Sequence, residues 1–455
     1  MVINMSTFDG IKKRISDHSA KIVVVGIGYV GLPLAISFAE KGFPVWGLDV
    51  RSETVENLKK GKSHISDVPD DRIQNVISKG RFIPTTDEAI LDTADAIFIC
   101  VPTPFTKNKI PDISFIEKSS ETISRHLKSG HLVILESTTY PGTTVELVQP
   151  ALEKSGLVAG RDFALVFSPE RVDPGNIEFS IANTPKVVGG INPEATELAR
   201  MLYATIVDNE NVICVSSPTI AEMVKLLENT FRSVNIALIF ELATLCNRMN
   251  LNIWEIIDAA ATKPFGFMPF YPGPGVGGHC IPVDPYYLAW KAREFDFHTK
   301  FIELAAETNL RMPNWVVGRI FEILNQESKV VKNAKILVLG VTFKKNINDA
   351  RNSPSFRIME LLLHHGAHLS YSDPYVPAII VGEVHDDYCP LLNHPIPLKS
   401  SKLTQEFIRK QDMVILLVDH DQFDYEFIVQ NSKLFFDTRN ATKRLSSKSD
   451  NVILL

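Results

Sequence analysis

One stretch near the start of the chain constrains its fold more than any other. Residues 21–25 are an apolar, β-branched run typical of a buried parallel strand, and a Gly-x-Gly-x-x-Gly sequence follows at once over residues 26–31. Helical periodicity then covers residues 32–41 and stops at Gly42, a typical helix C-cap, before a second apolar run ends at Asp49. Strand, glycine turn, helix and strand in this order predict a doubly wound α/β domain.

The glycine turn, in this context, is a dinucleotide-binding fingerprint. Its glycines let a pyrophosphate lie against the helix N-terminus, where backbone N–H groups and the helix dipole receive it. Asp49 would accept a hydrogen bond from a ribose 2′-OH and repel a 2′-phosphate, so NAD is favoured over NADP, although Arg51 leaves NADP open. The expected contacts of NAD are Gly26, Ile27, Gly28, Tyr29, Val30, Gly31, Asp49 and Arg51.

Two further apolar runs end in polar loops. Residues 96–101 and 132–135 predict strands, and Thr103 and Thr138 lie in the loops that follow them. Ligands of doubly wound sheets lie beyond the carboxyl ends of the strands, so both threonines are candidate neighbours of NAD. Ordinary turn chemistry explains either threonine alone equally well.

The last third of the chain repeats the opening pattern without its glycine fingerprint. A strand over residues 335–340, a helix over residues 353–366 and a strand ending at Asp373 predict a second Rossmann-like half. We expect it to hold something other than a dinucleotide pyrophosphate, and Lys344 and Lys345 offer cations for an anionic ligand unless they are an ordinary surface pair.

The fold class that follows is α/β, with two Rossmann-like doubly wound domains joined by a central helical domain with one long helix. The predicted segments are an N-terminal extension (1–20), an NAD-binding domain (21–210), a central helical domain (211–325) and a C-terminal domain (326–455).

The long helix is predicted at mid-chain. Pro218 stands near its first turn, the T-x-x-E sequence from Thr219 to Glu222 predicts a capping box, and an amphipathic pattern runs to about Asn250 without Gly or Pro. A solvated stripe is the ordinary explanation for its polar face, but Asn is a poor helix former, so a functional face is the alternative. The members of that face are Glu222, Lys225, Asn229 and Arg232. The length of this apolar helix also suits a subunit interface, in a homodimer or a higher homo-oligomer.

Residues 272–285 hold four glycines and four prolines and are therefore neither helix nor strand. Cys280 stands near the end of this stiff loop, and Asp284 follows it by four residues. An isolated cysteine is usually an inert core residue. Here the flanking glycines would leave the sulfur accessible, which favours a nucleophile.

Bulk properties narrow the class of protein. The 455 residues are 45% hydrophobic and 22% charged, with a formal net charge of −6 and no long basic run, so nucleic acid is not an expected partner. Five scattered cysteines fit a reducing compartment, and His279 beside Cys280 lacks the spacing of a metal site. Because no signal peptide and no membrane-spanning run is found, we expect a cytoplasmic protein without a membrane partner.

Taken together, the motifs resemble the UDP-glucose/UDP-mannose dehydrogenase family over nearly the whole chain, from Lys21 to about Arg439. They are Gly26-x-Gly28-x-x-Gly31, Ser137-Thr138, Pro169-Glu170, Lys225-x-x-x-Asn229, Gly277-Gly278-His279-Cys280-x-x-x-Asp284 and Phe343-Lys344. Residues 263–274 look most like the UDP-N-acetylglucosamine 6-dehydrogenases of surface-polysaccharide pathways. The chain differs from the glucose branch at His279, Tyr271 and Pro174, where that branch has serine, lysine and glutamate.

The resemblance implies two NAD-dependent oxidations at C6 of a UDP-N-acetylhexosamine. Cys280 would form a thiohemiacetal and then a thioester; Lys225 and Asn229 would stabilise the developing oxyanion, and Asp284 with Lys225 would hold a water. Glu170 and Thr138 would assist hydrolysis, and Arg351 would lie near the NAD phosphates. The residues expected to meet the substrate are Glu170, Arg171, Lys225, Asn229, Tyr271, Gly273, Gly277, Lys344 and Arg439.

Alternatives remain at this point. The hexosamine could be the gluco, manno or galacto epimer, or the substrate could be UDP-glucose. A two-electron hydroxyacid dehydrogenase would also combine a Rossmann domain with a Lys-x-x-x-Asn helix but would not need Cys280. A non-catalytic NAD-binding protein would need neither Lys225 nor Cys280. About two, one or no NADH formed per substrate would distinguish the three classes.

Overall fold

A computed structural model of the chain describes residues 7–65, 67–106, 110–172, 178–278, 281–383, 390–445 and 449–455. The chain divides into two compact units, Met1–Glu228 and Asn229–Leu455. Within the described residues, no helix is long and apolar enough to cross a bilayer.

The first unit alternates helices and strands. Its helices are α1 (Asp9–Ser16), α2 (Gly31–Glu40), α3 (Ser52–Lys59), α4 (Asp70–Ser78), α5 (Ser114–His126), α6 (Gln149–Glu153), α7 (Pro193–Tyr203) and the first turns of α8 (Pro218–Arg248). Its strands are β1 (Ile22–Val25), β2 (Val45–Leu48), β3 (Phe82–Thr85), β4 (Ala96–Ile99), β5 (Leu132–Leu135), β6 (Ala164–Phe167), β7 (Lys186–Gly190) and β8 (Val212–Val215).

The eight strands form one sheet in the order β3-β2-β1-β4-β5-β6-β7-β8. Neighbours run parallel except β6 and β7, which are antiparallel. The central strands are apolar throughout because helices cover both faces, as in other doubly wound sheets. Helix α1 also packs into this core through Ile11 and Ile15, so it shares the core of the domain that was predicted to begin at residue 21.

The second unit begins inside α8. Its further helices are α9 (Ile253–Ala260), α10 (Asp284–Ala292), α11 (Lys300–Gln326), α12 (Pro354–His364), α13 (Gln405–Arg409) and α14 (Tyr425–Asn431). Its strands are β9 (Lys335–Leu339), β10 (His368–Ser372), β11 (Ala378–Val381), β12 (Ile396–Lys399), β13 (Met413–Leu416), β14 (Phe435–Asp437) and β15 (Val452–Leu454).

Five of these strands form a parallel sheet in the order β10-β9-β13-β14-β15, and β11 and β12 form a separate antiparallel pair. Helices α11 and α12 pack on this sheet around Ile320, Ile336 and Ile358. The predicted class is confirmed: two mostly parallel, Rossmann-like sheets, with a helical segment between them in the sequence. The predicted domain boundaries remain a prediction.

The start of α8 differs from the sequence-based expectation. The helix begins at Pro218, and the hydroxyl of Ser217 accepts from the N–H of Ile220 at 3.3 Å, so the predicted capping box from Thr219 is wrong. Glu222 instead is fully buried, and its carboxylate accepts from the N–H of Gly142 and from the N–H and hydroxyl of Thr144 at 2.5 to 2.8 Å. Glu222 thus binds groups that are distant in the sequence instead of capping its own helix.

Candidate active site

The glycine turn after β1 has the geometry that a pyrophosphate site needs. Gly26 has φ +87°, and a Cβ there would lie 2.6 Å from the carbonyl oxygen of Cys100. At Gly31 a Cβ would lie 1.9 Å from the carbonyl oxygen of Gly26. At Gly28, by contrast, a Cβ would meet nothing within 4 Å. Gly26 and Gly31 are therefore required by packing, whereas Gly28 leaves open space above the N-terminus of α2 that a pyrophosphate fits.

Asp49 lies directly after β2 and is held beside this turn. Its Oδ2 accepts from the N–H of Ile27 at 3.2 Å, and its Oδ1 accepts from the N–H of Arg51 at 2.9 Å. The Arg51 guanidinium lies 3.3 Å from Asp49 Oδ1, so its charge is turned toward the carboxylate. A buried carboxylate at this place fits a ribose diol.

The other residues expected near NAD lie just after strands of the sheet or just before α2. Thr103 and Thr138 are half-buried after β4 and β5, and Tyr29 and Val30 precede α2 with Tyr29 exposed. All of these groups lie in the first unit, at the carboxyl ends of parallel strands. The residues present therefore fit NAD.

Lys225 in α8 is held by the loop that follows β6. Its Nζ donates to the backbone carbonyl of Glu170 at 2.6 Å. Arg171 donates to Glu228 Oε1 and to the carbonyl of Pro185, each at 2.7 Å, so its guanidinium is engaged within the first unit. The structure thus brings Glu170, Arg171 and Lys225 together.

The sequence did not predict the buried charges beneath Glu170. Lys186 is 4% exposed, and its Nζ lies 2.9 Å from Glu170 Oε2 and 3.0 Å from Glu136 Oε1. The hydroxyl of Tyr203 donates to Glu136 Oε1. A glutamate after one strand and a lysine opening another were the available signals, but only the sheet brings them together.

In the second unit, Asn229 and Asp284 form a buried pair. The Nδ2 of Asn229 donates to Asp284 Oδ2, and both residues are at most 5% exposed. Asp284 is the first residue of α10, and Asn229 lies four residues after Lys225 on α8. His279 and Cys280 lie outside the described residues. The polar face of α8 is thus buried at Glu222 and Asn229, while Arg232 is exposed.

The glycine-rich loop before Cys280 packs tightly. A Cβ at Gly273 would lie 2.7 Å from Arg439 Nη1, and one at Gly277 would lie 2.7 Å from the carbonyl oxygen of Asn352. Gly278 has φ +81° and faces the ring of Phe343. Three residues expected to meet the substrate, Gly273, Gly277 and Arg439, therefore lie within one neighbourhood of the second unit, beside the loop that carries Lys344.

Tyr271 is placed differently from a simple substrate contact. Its hydroxyl donates to Asp258 Oδ1 at 3.1 Å, and its ring stacks on Trp254 with 5.8 Å between centroids. Asp258 also pairs with Lys443. Tyr271 is 45% exposed, so one face of its ring is open to solvent.

The loop that carries Lys344 is fixed by His420, which the sequence reasoning missed. His420 is fully buried; its Nδ1 accepts from the N–H of Asn346 at 2.9 Å, and its Nε2 lies 3.1 Å from Asp373 Oδ2. Because Nδ1 is the acceptor, Nε2 carries the proton and donates to Asp373. Arg351, near the far end of the same segment, forms a bidentate pair with Asp349 at 2.6 to 3.1 Å.

Comparison with known protein families covers most of the chain. The profiles described as the UDP-glucose/GDP-mannose dehydrogenase family match in three parts: the NAD binding domain over residues 20–207, the central domain over residues 219–311 and the UDP binding domain over residues 337–444.

Individual relatives agree. The chain is 36% identical over 429 residues to a UDP-N-acetyl-D-mannosamine dehydrogenase of Pyrococcus horikoshii, covering 93% of this chain and 96% of that one. It is 39% identical over 359 residues to a UDP-N-acetyl-D-glucosamine 6-dehydrogenase of Pseudomonas aeruginosa, covering 79% and 83%. A solved structure of the UDP-D-ManNAc dehydrogenase from Pyrococcus horikoshii superposes with a TM-score of 0.83 at 33% identity, covering 95% and 98%.

Proposed function

Because this chain belongs to the UDP-glucose/GDP-mannose dehydrogenase family, and so is an NAD-dependent dehydrogenase of a nucleotide sugar, we propose that it oxidises C6 of UDP-N-acetylglucosamine twice, to the uronic acid. The residues that form the glycine turn and hold Asp49 fit the cofactor. Bound NAD would accept one hydride from C6 in each oxidation. Two NAD⁺ and one water are consumed per substrate.

The buried pair of Asn229 and Asp284 carries the proposal. It ties the start of α10, four residues after Cys280, to the helix that bears Lys225. A carboxylate has two oxygens with two acceptor sites each, which suits a residue proposed to hold a water. A two-electron dehydrogenase would have no need of Cys280, which precedes Asp284 by four residues in the sequence.

The proposed chemistry gives each of these residues a role. In the first oxidation, Lys225 stabilises the oxyanion that develops on the C6 oxygen. Cys280 then adds to the aldehyde carbon, and the carbonyl oxygen becomes the oxygen of a thiohemiacetal. Oxidation of that adduct leaves a thioester, and a water held by Asp284 cleaves it to acid and thiol. Thr138 is proposed to position this water, and Glu170 to assist the hydrolysis through its backbone carbonyl, which holds Lys225.

The uridine diphosphate is assigned to the second unit. Arg439, which lies against Gly273, and Lys344, on the loop held by His420, supply the cations for an anionic nucleotide. The family description of this segment as a UDP binding domain supports the assignment. Gly277 and Tyr271 are proposed to lie along the sugar.

UDP-N-acetylglucosamine is preferred over its manno epimer on two grounds. Residues 263–274 look most like the glucosamine branch, and the relative from Pseudomonas aeruginosa bears that name. The relative and the solved structure from Pyrococcus horikoshii are named for the manno epimer, which is therefore the second candidate. Initial rates with UDP-GlcNAc, UDP-ManNAc, UDP-GalNAc and UDP-glucose decide: a higher kcat/KM for another sugar than for UDP-GlcNAc would reject the preference.

Cys280→Ser tests the covalent step. Serine adds to the aldehyde and yields an ester, which hydrolyses more slowly than a thioester, so a protein–uronyl-nucleotide adduct is expected in the intact mass spectrum. The wild-type enzyme should yield about two NADH per UDP-GlcNAc. One NADH per substrate would indicate a two-electron dehydrogenase, and none would indicate a non-catalytic NAD-binding protein. Full turnover in Cys280→Ala would remove the thiol from the mechanism.

We also propose that two copies of the chain associate through α8. Five large apolar side chains, from the middle of α8 to the residue just after its end, are 37% to 58% exposed: Phe231, Leu238, Leu242, Leu245 and Met249. At 3.6 residues per turn they form one stripe, and a contiguous apolar face of this kind marks an interaction site. Light scattering should give a dimer or higher oligomer for the wild type, and a smaller particle for Leu238→Glu. A wild-type monomer would reject this assignment.

A further inference from the structure

A buried charged cluster lies beneath the loop that holds Lys225. Glu136 directly follows β5, Glu170 lies three residues after β6, and Lys186 opens β7. Lys186 Nζ is 2.9 Å from Glu170 Oε2 and 3.0 Å from Glu136 Oε1. Two carboxylates share one buried ammonium, so the cluster keeps one net negative charge.

The antiparallel register explains the contact between Lys186 and Glu170. Strand β6 pairs with β7 through Val166↔Gly190 and Phe167↔Gly189. Continued in the same register, this pairing sets Glu170 opposite Lys186. Directly opposite residues of an antiparallel pair have Cβ atoms about 5 Å apart, which is within reach of a lysine and a glutamate.

The carboxylate of Glu170 is already occupied on both oxygens. Its Oε2 binds Lys186, and its Oε1 accepts from the N–H groups of Arg171 at 2.9 Å and Val172 at 2.6 Å. Burial opposes ionisation, but the Lys186 charge and the backbone donor outweigh it and hold the pKa of Glu170 below its usual range. A carboxylate in this state is an anchor for its own peptide and a poor proton acceptor.

That peptide is what holds Lys225. The carbonyl of Glu170 accepts from Lys225 Nζ at 2.6 Å, so the orientation of the Glu170 peptide sets the position of the ammonium. The chain of contacts runs from Lys186 through the Glu170 carboxylate and backbone to Lys225. Two other ionisable groups face this cluster, Cys100 after β4 and Tyr203 at the end of α7.

We propose that Lys186 is a positioning residue, which keeps Glu170 as a fixed carboxylate and thereby sets the place of Lys225 for both oxidations. The proposal rests on the proposed function for its kinetic consequence only. Its structural claim is that Glu170 is ionised because of Lys186. This ionisation can be measured without turnover.

Three variants separate positioning from simple charge compensation. Lys186→Met removes the ammonium; Lys186→Arg retains it; Lys186→Met with Glu136→Gln removes one charge of each sign and leaves the net charge of the cluster unchanged. If Lys186 positions Glu170, the acid limb of the kcat profile moves up by about 1–3 pH units in both Met variants and stays in place in Lys186→Arg. The double variant should melt at a higher temperature than Lys186→Met, but the acid limb of its kcat–pH profile should remain shifted.

Infrared difference titration reads the same ionisation directly. A protonated carboxyl band should appear at higher pH in the double variant than in the wild type, and it should vanish when Glu170→Gln is added. A double variant with the wild-type band and the wild-type acid limb overturns the proposal, because Lys186 would then only neutralise Glu136. Failure of the proposed function would appear separately, as a wild-type protein that forms no NADH with any UDP-sugar. Should Lys186→Met not fold, the double and Arg variants still decide.

Discussion

Gly28→Ala should separate the binding of NAD from the folding of the first unit. A Cβ at Gly28 meets nothing within 4 Å, and Gly28 does not have the positive φ of Gly26, so alanine fits the free protein. Replacing a glycine at a compatible position stabilises by about 0.4–1 kcal/mol, through the unfolded chain. The apo variant should therefore melt at or slightly above the wild-type temperature.

The same methyl group should obstruct the cofactor. It would stand where the pyrophosphate approaches the backbone, and overpacking by one methyl costs about 1–3 kcal/mol. This range corresponds to a dissociation constant for NAD raised about 5- to 150-fold. Titration of NADH fluorescence measures the constant, and thermal unfolding without cofactor measures the stability.

Two further glycines serve as controls. Gly31→Ala places a Cβ 1.9 Å from the carbonyl oxygen of Gly26, so it should lower the melting temperature even without cofactor. Gly318→Ala, on an exposed face of α11 with nothing within 4 Å, should leave the affinity for NAD unchanged. Wild-type affinity in Gly28→Ala, or a loss of stability in that variant as large as in Gly31→Ala, would refute the placement of the pyrophosphate.

Three other predictions concern single side chains. Asp49→Ser should reduce the ratio of kcat/KM for NAD over NADP, since the carboxylate held by Ile27 is then gone; an unchanged ratio contradicts the assignment. Lys225→Ala should lower kcat by about 10²–10³ with little change in KM, because an oxyanion donor acts mainly in the transition state; a raised KM at constant kcat would make Lys225 a binding residue. Burial lowers the pKa of His131 from 6.5 to about 4. Between these two pH values the unfolded state binds a proton that the folded state does not. The free energy of unfolding should therefore fall by about 3 kcal/mol as the pH drops from 6.5 to 4. Urea unfolding of His131→Leu should show a shallower pH dependence over the same range, and an equal slope in both proteins would contradict it.

The sequence predicted what depends on neighbours along the chain. The strand, glycine turn and helix from residue 22 to Glu40 follow from local patterns and close approach at Gly31, and all of them are present. A helix with Pro218 in its first turn was predicted for the same reason, although the capping box expected from Thr219 is wrong. The family resemblance, which rests on short ordered motifs, was confirmed by all three domain profiles.

Contacts between distant parts of the chain could not be predicted in the same way. Glu222 matched a local capping motif, but its carboxylate binds Gly142, which lies 80 positions earlier. Asn229 and Asp284 were both singled out, yet their direct hydrogen bond spans 55 positions and depends on where α10 begins. Lys186 opens an apolar strand, where a lysine is usually a surface residue, so the sequence did not indicate its buried contacts.

The reversal of β7 also bears on how the enzyme could be re-engineered. The connection from β6 to β7 is closed at its base, where Arg171 donates to the carbonyl of Pro185, so an exchange in this connection should keep that contact. A deletion of one residue inside β7 has a different consequence. Side chains alternate between the two faces of a sheet, so Lys186 would turn away from Glu170 while the apolar pattern of the strand changed little. Grafts intended to alter sugar preference should therefore end before residue 185, and the spacing from Lys186 to Gly190 should be kept.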